Sequence, residues 1–249
     1  MCGQPLQRLV RAKRSTAPQS SRNRCSKGLL IKTAIIIKKC NHHQKQQFLN
    51  SPNPVTFASM NKNYYYKETF SNENFSEDNL DNIEFEDCQF DNCNFAALPL
   101  IQTVFDNCIF NNCNFSLAVC KKTAFRDVEF NGCKLTGMQL ENAHTIGLQV
   151  SFNNCLLNQV NAYKINLKAT IFTDCEIVEA DFSDANLEQS KFINCNLNQT
   201  VFSNTNLQKA DFRTSYNFVI NPTNNKIKQA VFDKSNLEGL LVSFNIIFK

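Results

Sequence analysis

Residues 180–194 read Ala180-Asp181-Phe182-Ser183-Asp184, Ala185-Asn186-Leu187-Glu188-Gln189, Ser190-Lys191-Phe192-Ile193-Asn194. A small residue opens each group of five, and Phe or Leu stands at its centre. Polar residues fill the rest. Extended upstream, the same spacing runs through Phe152, Leu157, Ala162, Leu167, Phe172 and Ile177, and downstream it runs through Leu197, Phe202, Leu207 and Phe212. An earlier block, two residues out of phase, holds Phe70, Phe75, Leu80, Phe85, Phe90, Phe95, Leu100, Phe105, Phe110, Phe115, Cys120, Phe125, Phe130, Leu135 and Leu140. Of these 28 positions 25 are Phe or Leu, whereas the 43 Phe and Leu among 249 residues would put about five there by chance, so the period is structural.

A period of five matches neither the 3.6 residues of a helical turn nor the alternation of a strand. The position two before each large residue resolves this, because it is mostly small: Cys88, Cys93, Thr103, Cys108, Cys113, Ala118, Thr123, Cys133, then Cys155, Thr170, Cys175, Ala180, Ala185, Ser190, Cys195, Thr200, Thr205 and Ala210. Two inward residues flanking one outward residue make a short extended segment. The remaining two must turn. A large and a small inward residue per unit fill a narrow coil rather than a sheet packed on helices.

These units resemble the pentapeptide-repeat family, written A(D/N)LXX, and Ala180-Asp181-Phe182-Ser183-Asp184, Ala185-Asn186-Leu187 and Ala210-Asp211-Phe212 match it as they stand. The resemblance covers about residues 70–212 and implies an all-β fold: a right-handed quadrilateral parallel β-helix of about seven coils, 20 residues per coil. Coils at the inter-strand spacing of about 4.8 Å give a rod roughly 35 Å long. A spacing of 20 stacks Cys88 with Cys108, Cys93 with Cys113 and Cys133, and Cys155 with Cys175 and Cys195 in interior columns. Eight of the twelve cysteines take the small inward place, where a thiol serves as a compact hydrophobe. Without a C-x-x-C pair or a nearby His, such columns do not offer tetrahedral metal ligands.

Three segments depart from the repeat. Residues 1–59 hold 11 of the 26 Lys and Arg and none of the 22 Asp and Glu, leaving residues 60–249 at a net −7. This leader has the composition of an organelle transit peptide, of a basic tail for nucleic acid or anionic lipid, or of an upstream extension from a misplaced start codon at a position before Met60. Its apolar run, residues 28–37, is too short to span a bilayer as a helix. The expected location is cytoplasmic, with organelle import if the leader is a transit peptide. The phase changes within residues 141–151, either as a two-residue bulge or as a short projecting loop around His144. Residues 217–249 form an excursion and a C-terminal cap, read as a short helix followed by a strand. Leu240, Leu241, Phe244, Ile246 and Ile247 there would either cover the last coil or serve as a homodimer interface.

No phosphate-binding glycine loop, G-x-S-x-G or H-E-x-x-H occurs, and the three histidines are His42, His43 and His144. No enzyme activity, cofactor, metal or small-molecule substrate is expected. The function expected is a structural or interaction module with a protein partner. Residues 68–91 hold nine acidic side chains and no basic one, and Glu84, Glu86, Asp87 and Asp91 fall at outward places, so these four, with His144 at the phase break, are the candidate contact residues. Glu68, Glu73 and Asp78 fall at inward places instead, as a frayed cap would have them. The opening residues 60–70 are similar to the start of quinolone-resistance members of the family. That similarity implies a DNA mimic protecting a type II topoisomerase such as DNA gyrase.

Overall fold

The structure is a computed structural model, and it describes residues 63–246. The leader readings and Ile247 lie outside these residues. Every ladder is parallel, and its rungs are 20 residues apart along most of the chain: Phe70 pairs with Phe90, Phe90 with Phe110, Phe85 with Phe105 and Leu100 with Cys120. The chain is thus a parallel β-solenoid. Its longest sheet has seven strands, one per coil, from Thr69–Ser71 to Lys191–Ile193. A second sheet of four runs from Tyr64–Tyr66 to Ala124–Arg126, a third pairs Pro99–Ile101 with Val119–Lys121, and single bridges from Asn74 to Tyr216 continue the remaining face.

Each strand is about three residues long with its centre buried, as in Glu84–Glu86 and Ile171–Thr173. Alternation permits only one inward side chain per such strand, and the preceding small residue supplies the second. The turn is made by backbone. Twenty-seven non-glycine residues among those described have positive φ, nearly all two places after a large core residue, among them Asn92, Asn112, Leu117 and Asn194. Where the following amide bonds back across the corner, as Ala118 does to the Phe115 carbonyl at 3.0 Å, this is the left-handed third residue of a type II turn. Asn and Asp tolerate that conformation best, which accounts for their density in the outward places.

The interior is four columns of large residues. One column stacks Phe70, Phe90, Phe110, Phe130, Phe152, Phe172, Phe192, Phe212 and Phe232 with near-parallel rings, the centroids 4.6 to 5.2 Å apart. Neighbouring columns meet it edge to face, as Phe110 meets Phe115 at 87°. Offset stacking within columns and edges between them is the arrangement aromatic quadrupoles favour. Phe85, Phe95, Phe105, Phe125, Phe182, Leu187, Leu197, Phe202 and Leu207 are among the other buried members.

The small inward places form columns of their own, and here the structure goes beyond the expected stacking. Phe130 pairs with Phe152 and Lys134 with Leu156, a step of 22 residues across the phase break. That longer coil brings Cys133 beneath Cys155. Cys93, Cys113, Cys133, Cys155, Cys175 and Cys195 therefore make one column of six, with Cys88 and Cys108 in the next. All are buried free thiols. Each donates its S–H to the carbonyl of a large residue one coil earlier: Cys93 to Phe70 at 3.4 Å, Cys113 to Phe90 and Cys155 to Phe130 at 3.3 Å. Thr103, Thr205 and Ser215 make the same bond to Leu80, Phe182 and Phe192. Where the small residue carries a donor, the place thus satisfies it, while Ala118, Ala180, Ala185 and Ala210 fill it without one.

The phase break is a bulge. Asn142 and His144 still bond the coil below, through Lys122 N–H and the Thr123 carbonyl, and the ladder resumes at Val150. The extra residues lie between, with Ile146 76% exposed at the crest and Leu148 turned partly inward. Leu148 incompletely replaces the column residue expected between Phe125 and Leu167. An apolar cavity of about 10 Å³ remains, lined in part by Phe125, Phe130, Val150 and Leu167.

At the C-terminal end Phe218 and Ile220 are buried, and the helical turns Lys234–Asn236, Glu238–Leu241 and Val242–Phe244 lie beyond them. Leu240 packs on the core, while Leu237, Val242, Phe244 and Ile246 are exposed. At the other end, Glu68, Glu73 and Asp78 are only half-buried, which spares carboxylates the cost of full burial. Among the described residues no helix is long and apolar enough to cross a membrane.

Candidate partner-binding surface

Glu84 and Glu86 flank Phe85 on one strand, so their side chains project from the same face. Strand pairing sets Tyr64 and Tyr66 below them and Val104 and Asp106 above. The Tyr64 hydroxyl donates to Glu86, and this bond raises the Tyr64 pKa from 10.0 to about 12. Asp87 occupies the left-handed corner at φ 53°, accepts from Asn107 Nδ2 at 2.7 Å and lies 4.0 Å from Lys67 Nζ. Asp106 pairs with Arg126 at 3.3 Å. Charges of one face are therefore tied from coil to coil, and they form a preorganised surface.

Asp91 lies round the corner, on the face of the Phe90 column, where it accepts from Gln89 and from Asn111 Nδ2 at 2.8 Å. His144 belongs to the Glu84 face but stands three rungs higher, roughly 14 Å away at the inter-strand spacing, with Nδ1 3.3 Å from the Ile146 carbonyl. Glu84, Glu86 and Asp87 are brought together; Asp91 and His144 are not part of that cluster. Asp106 and the stacked Tyr64 and Tyr66 complete the surface. The spacing of 20 from Glu86 to Asp106 is the signal in the sequence that could have found the former.

The thiol columns carry no comparable chemistry. Burial holds the Cys120 thiol up at about 12, and hydrogen bonds to neighbouring thiols, then burial, raise Cys93, Cys133 and Cys175. Cys113 and Cys155 are drawn the other way by those same thiol partners. Among the described residues no cation faces the column to sustain a thiolate, so we assign the thiols as protonated. Among the described residues no group of three or more His, Cys, Asp or Glu is placed to hold a metal ion.

The architecture defines a class: a closed-core parallel solenoid with short strands, left-handed corners and a five-residue unit. The family model for the pentapeptide repeat region matches residues 103–182, 145–216 and 170–241, together more than half the chain. This protein belongs to the pentapeptide-repeat family. Among solved structures, a trypsin-treated variant of QnrB1, a plasmid-mediated fluoroquinolone resistance protein, aligns over 75% of this chain and 100% of its own at 15% identity with a TM-score of 0.52. HetL, a pentapeptide repeat protein involved in heterocyst differentiation regulation from the cyanobacterium Nostoc sp. strain PCC 7120, aligns over 84% of this chain and 99% of its own at 14% identity with a TM-score of 0.40. No curated protein matches the sequence.

Proposed function

We propose that the protein is a non-enzymatic interaction module whose first coils dock a protein partner carrying a basic surface. The supporting observation is the fixed cluster of Glu84, Glu86, Asp87 and Asp106 on a face whose backbone is set by in-register ladders. Pentapeptide-repeat proteins are generally structural or interaction modules, which accords with this reading. Cross-linking pull-downs with the full chain and with a Glu84→Lys, Glu86→Lys variant test it. A partner captured by the first and lost by the second is expected. Partners retained equally by both would overturn the assignment of this face.

A second reading makes the partner a type II topoisomerase, with the carboxylates standing in for DNA phosphates. Its support is the single-sign acidic field of residues 68–91 in the first coils, together with the overall fold shared with QnrB1. Gyrase supercoiling with a fluoroquinolone, with and without micromolar protein, decides it: rescue or inhibition sensitive to Glu84→Lys supports DNA mimicry, and no effect removes it. The exposed Leu237, Val242, Phe244 and Ile246 favour a homodimer contact at the C-terminal end. A cytoplasmic location is part of the proposal, and N-terminal sequencing of the native protein separates it from organelle import.

A further inference from the structure

The face of the Phe85 column holds nine levels. Tyr65, Phe85, Phe105 and Phe125 lie on one side of the bulge, and Leu167, Leu187, Leu207 and Ile227 lie on the other. Its two halves carry opposite net charge, most of it away from the bulge. Next to the bulge, charge is cancelled within the chain on both sides: Arg126 with Asp106 at 3.3 Å, and Lys168 with Glu188 at 3.3 Å. On the first side, once Asp87 is set against Lys67, Glu84 and Glu86 remain farther out and Asp127 remains beside Arg126, a surplus of −3. On the other side the exposed Lys209, Lys226 and Lys228 remain, a surplus of +3.

We propose that this face is a self-association surface on which two copies of the chain lie antiparallel, related by a two-fold axis through the bulge. A two-fold interface needs a patch complementary to itself, and an acidic half and a basic half on either side of one point meet that condition in their net charge. The axis also places Ile146, 76% exposed in the single chain, against its own copy, where apolar surface is covered. Eight steps of about 4.8 Å by a strand width of about 10 Å is a narrow contact at the low end of specific interfaces. The dimer should therefore be weak and strongly dependent on ionic strength. The proposal is independent of the partner reading above and is the alternative to the C-terminal homodimer contact; the acidic coils cannot face a partner and a second copy at once.

The test is sedimentation equilibrium of the full chain at about 0.05 M and about 0.5 M salt, conditions that change the screening length severalfold. Salt should dissociate the dimer. Glu84→Lys with Glu86→Lys, or Lys226→Glu with Lys228→Glu, should each weaken self-association by roughly tenfold or more, and mixing the two variants should restore a heterodimer. The leader is identical in both variants, so the restoration reports this face. A monomer at low salt up to about 100 µM, or a dimer indifferent to both reversals, would overturn the proposal. A dimer lost on Phe244→Asp alone would also overturn it, as an end-to-end contact.

Discussion

A side chain in this protein is constrained by its neighbours one coil above and below. Phe182 stacks on Phe202 and meets Phe172 and Phe192 edge to face, with about 1% exposure. Phe182→Asp would place a carboxylate among rings without a counter-charge, at a cost of at least several kcal/mol. Lys191→Asp, at an exposed place on the strand Lys191–Ile193, should stay within about 1 kcal/mol. Urea unfolding of the two variants checks this pair, and equal midpoints would mean the inward register is misassigned. Tyr64 allows a finer check. Its bond to Glu86 favours the neutral phenol in the folded state, so the associated stabilisation is present below pH 10 and is lost as pH rises from 10 to about 12. Ultraviolet titration should show one tyrosine ionising near 12, and Glu86→Gln should bring it down.

At the scale of the element, close approaches decide what the chain can do. Gly239 opens no turn; it lets the helical turn Glu238–Leu241 sit on Phe218, where an added Cβ would fall 2.2 Å from the Phe218 carbonyl oxygen and 2.7 Å from its ring. Gly239→Ala should lift this cap, raising hydrogen exchange at Ile220, whose amide bonds the Gly239 carbonyl at 2.9 Å, and leaving the central coils unaffected. Sequence reading finds the ladders but not such contacts. The period of five and its small-large alternation are legible because every unit repeats one packing problem. The union of Cys133 and Cys155 was hidden because the longer coil breaks the spacing by which columns are recognised. The acidic cluster was half legible: Glu84, Glu86 and Asp87 are neighbours in the chain, whereas the separation of Asp91 depends on which side of a corner each residue falls.

Over the whole molecule, each coil bonds mainly to the next, so stability should accumulate as a sum over neighbours and be weakest where that stacking is imperfect. The bulge is such a place, with its unfilled 10 Å³. Leu148→Phe should fill that gap and raise the melting temperature by a few degrees, with the ring in the orientation of Phe125 below it. A larger cavity-lining residue that lowers the melting temperature instead would show the site to be already close-packed.

The four in-register columns have one more consequence, for how such a chain can change length. Removing residues 155–174 would set Cys175 where Cys155 stood and leave every column continuous, whereas removing five residues would turn each later unit onto the wrong wall. Length in this architecture is counted in whole coils, and a gene for it can grow or shrink by duplication and loss of 60-nucleotide blocks, about one turn of the rod at a time.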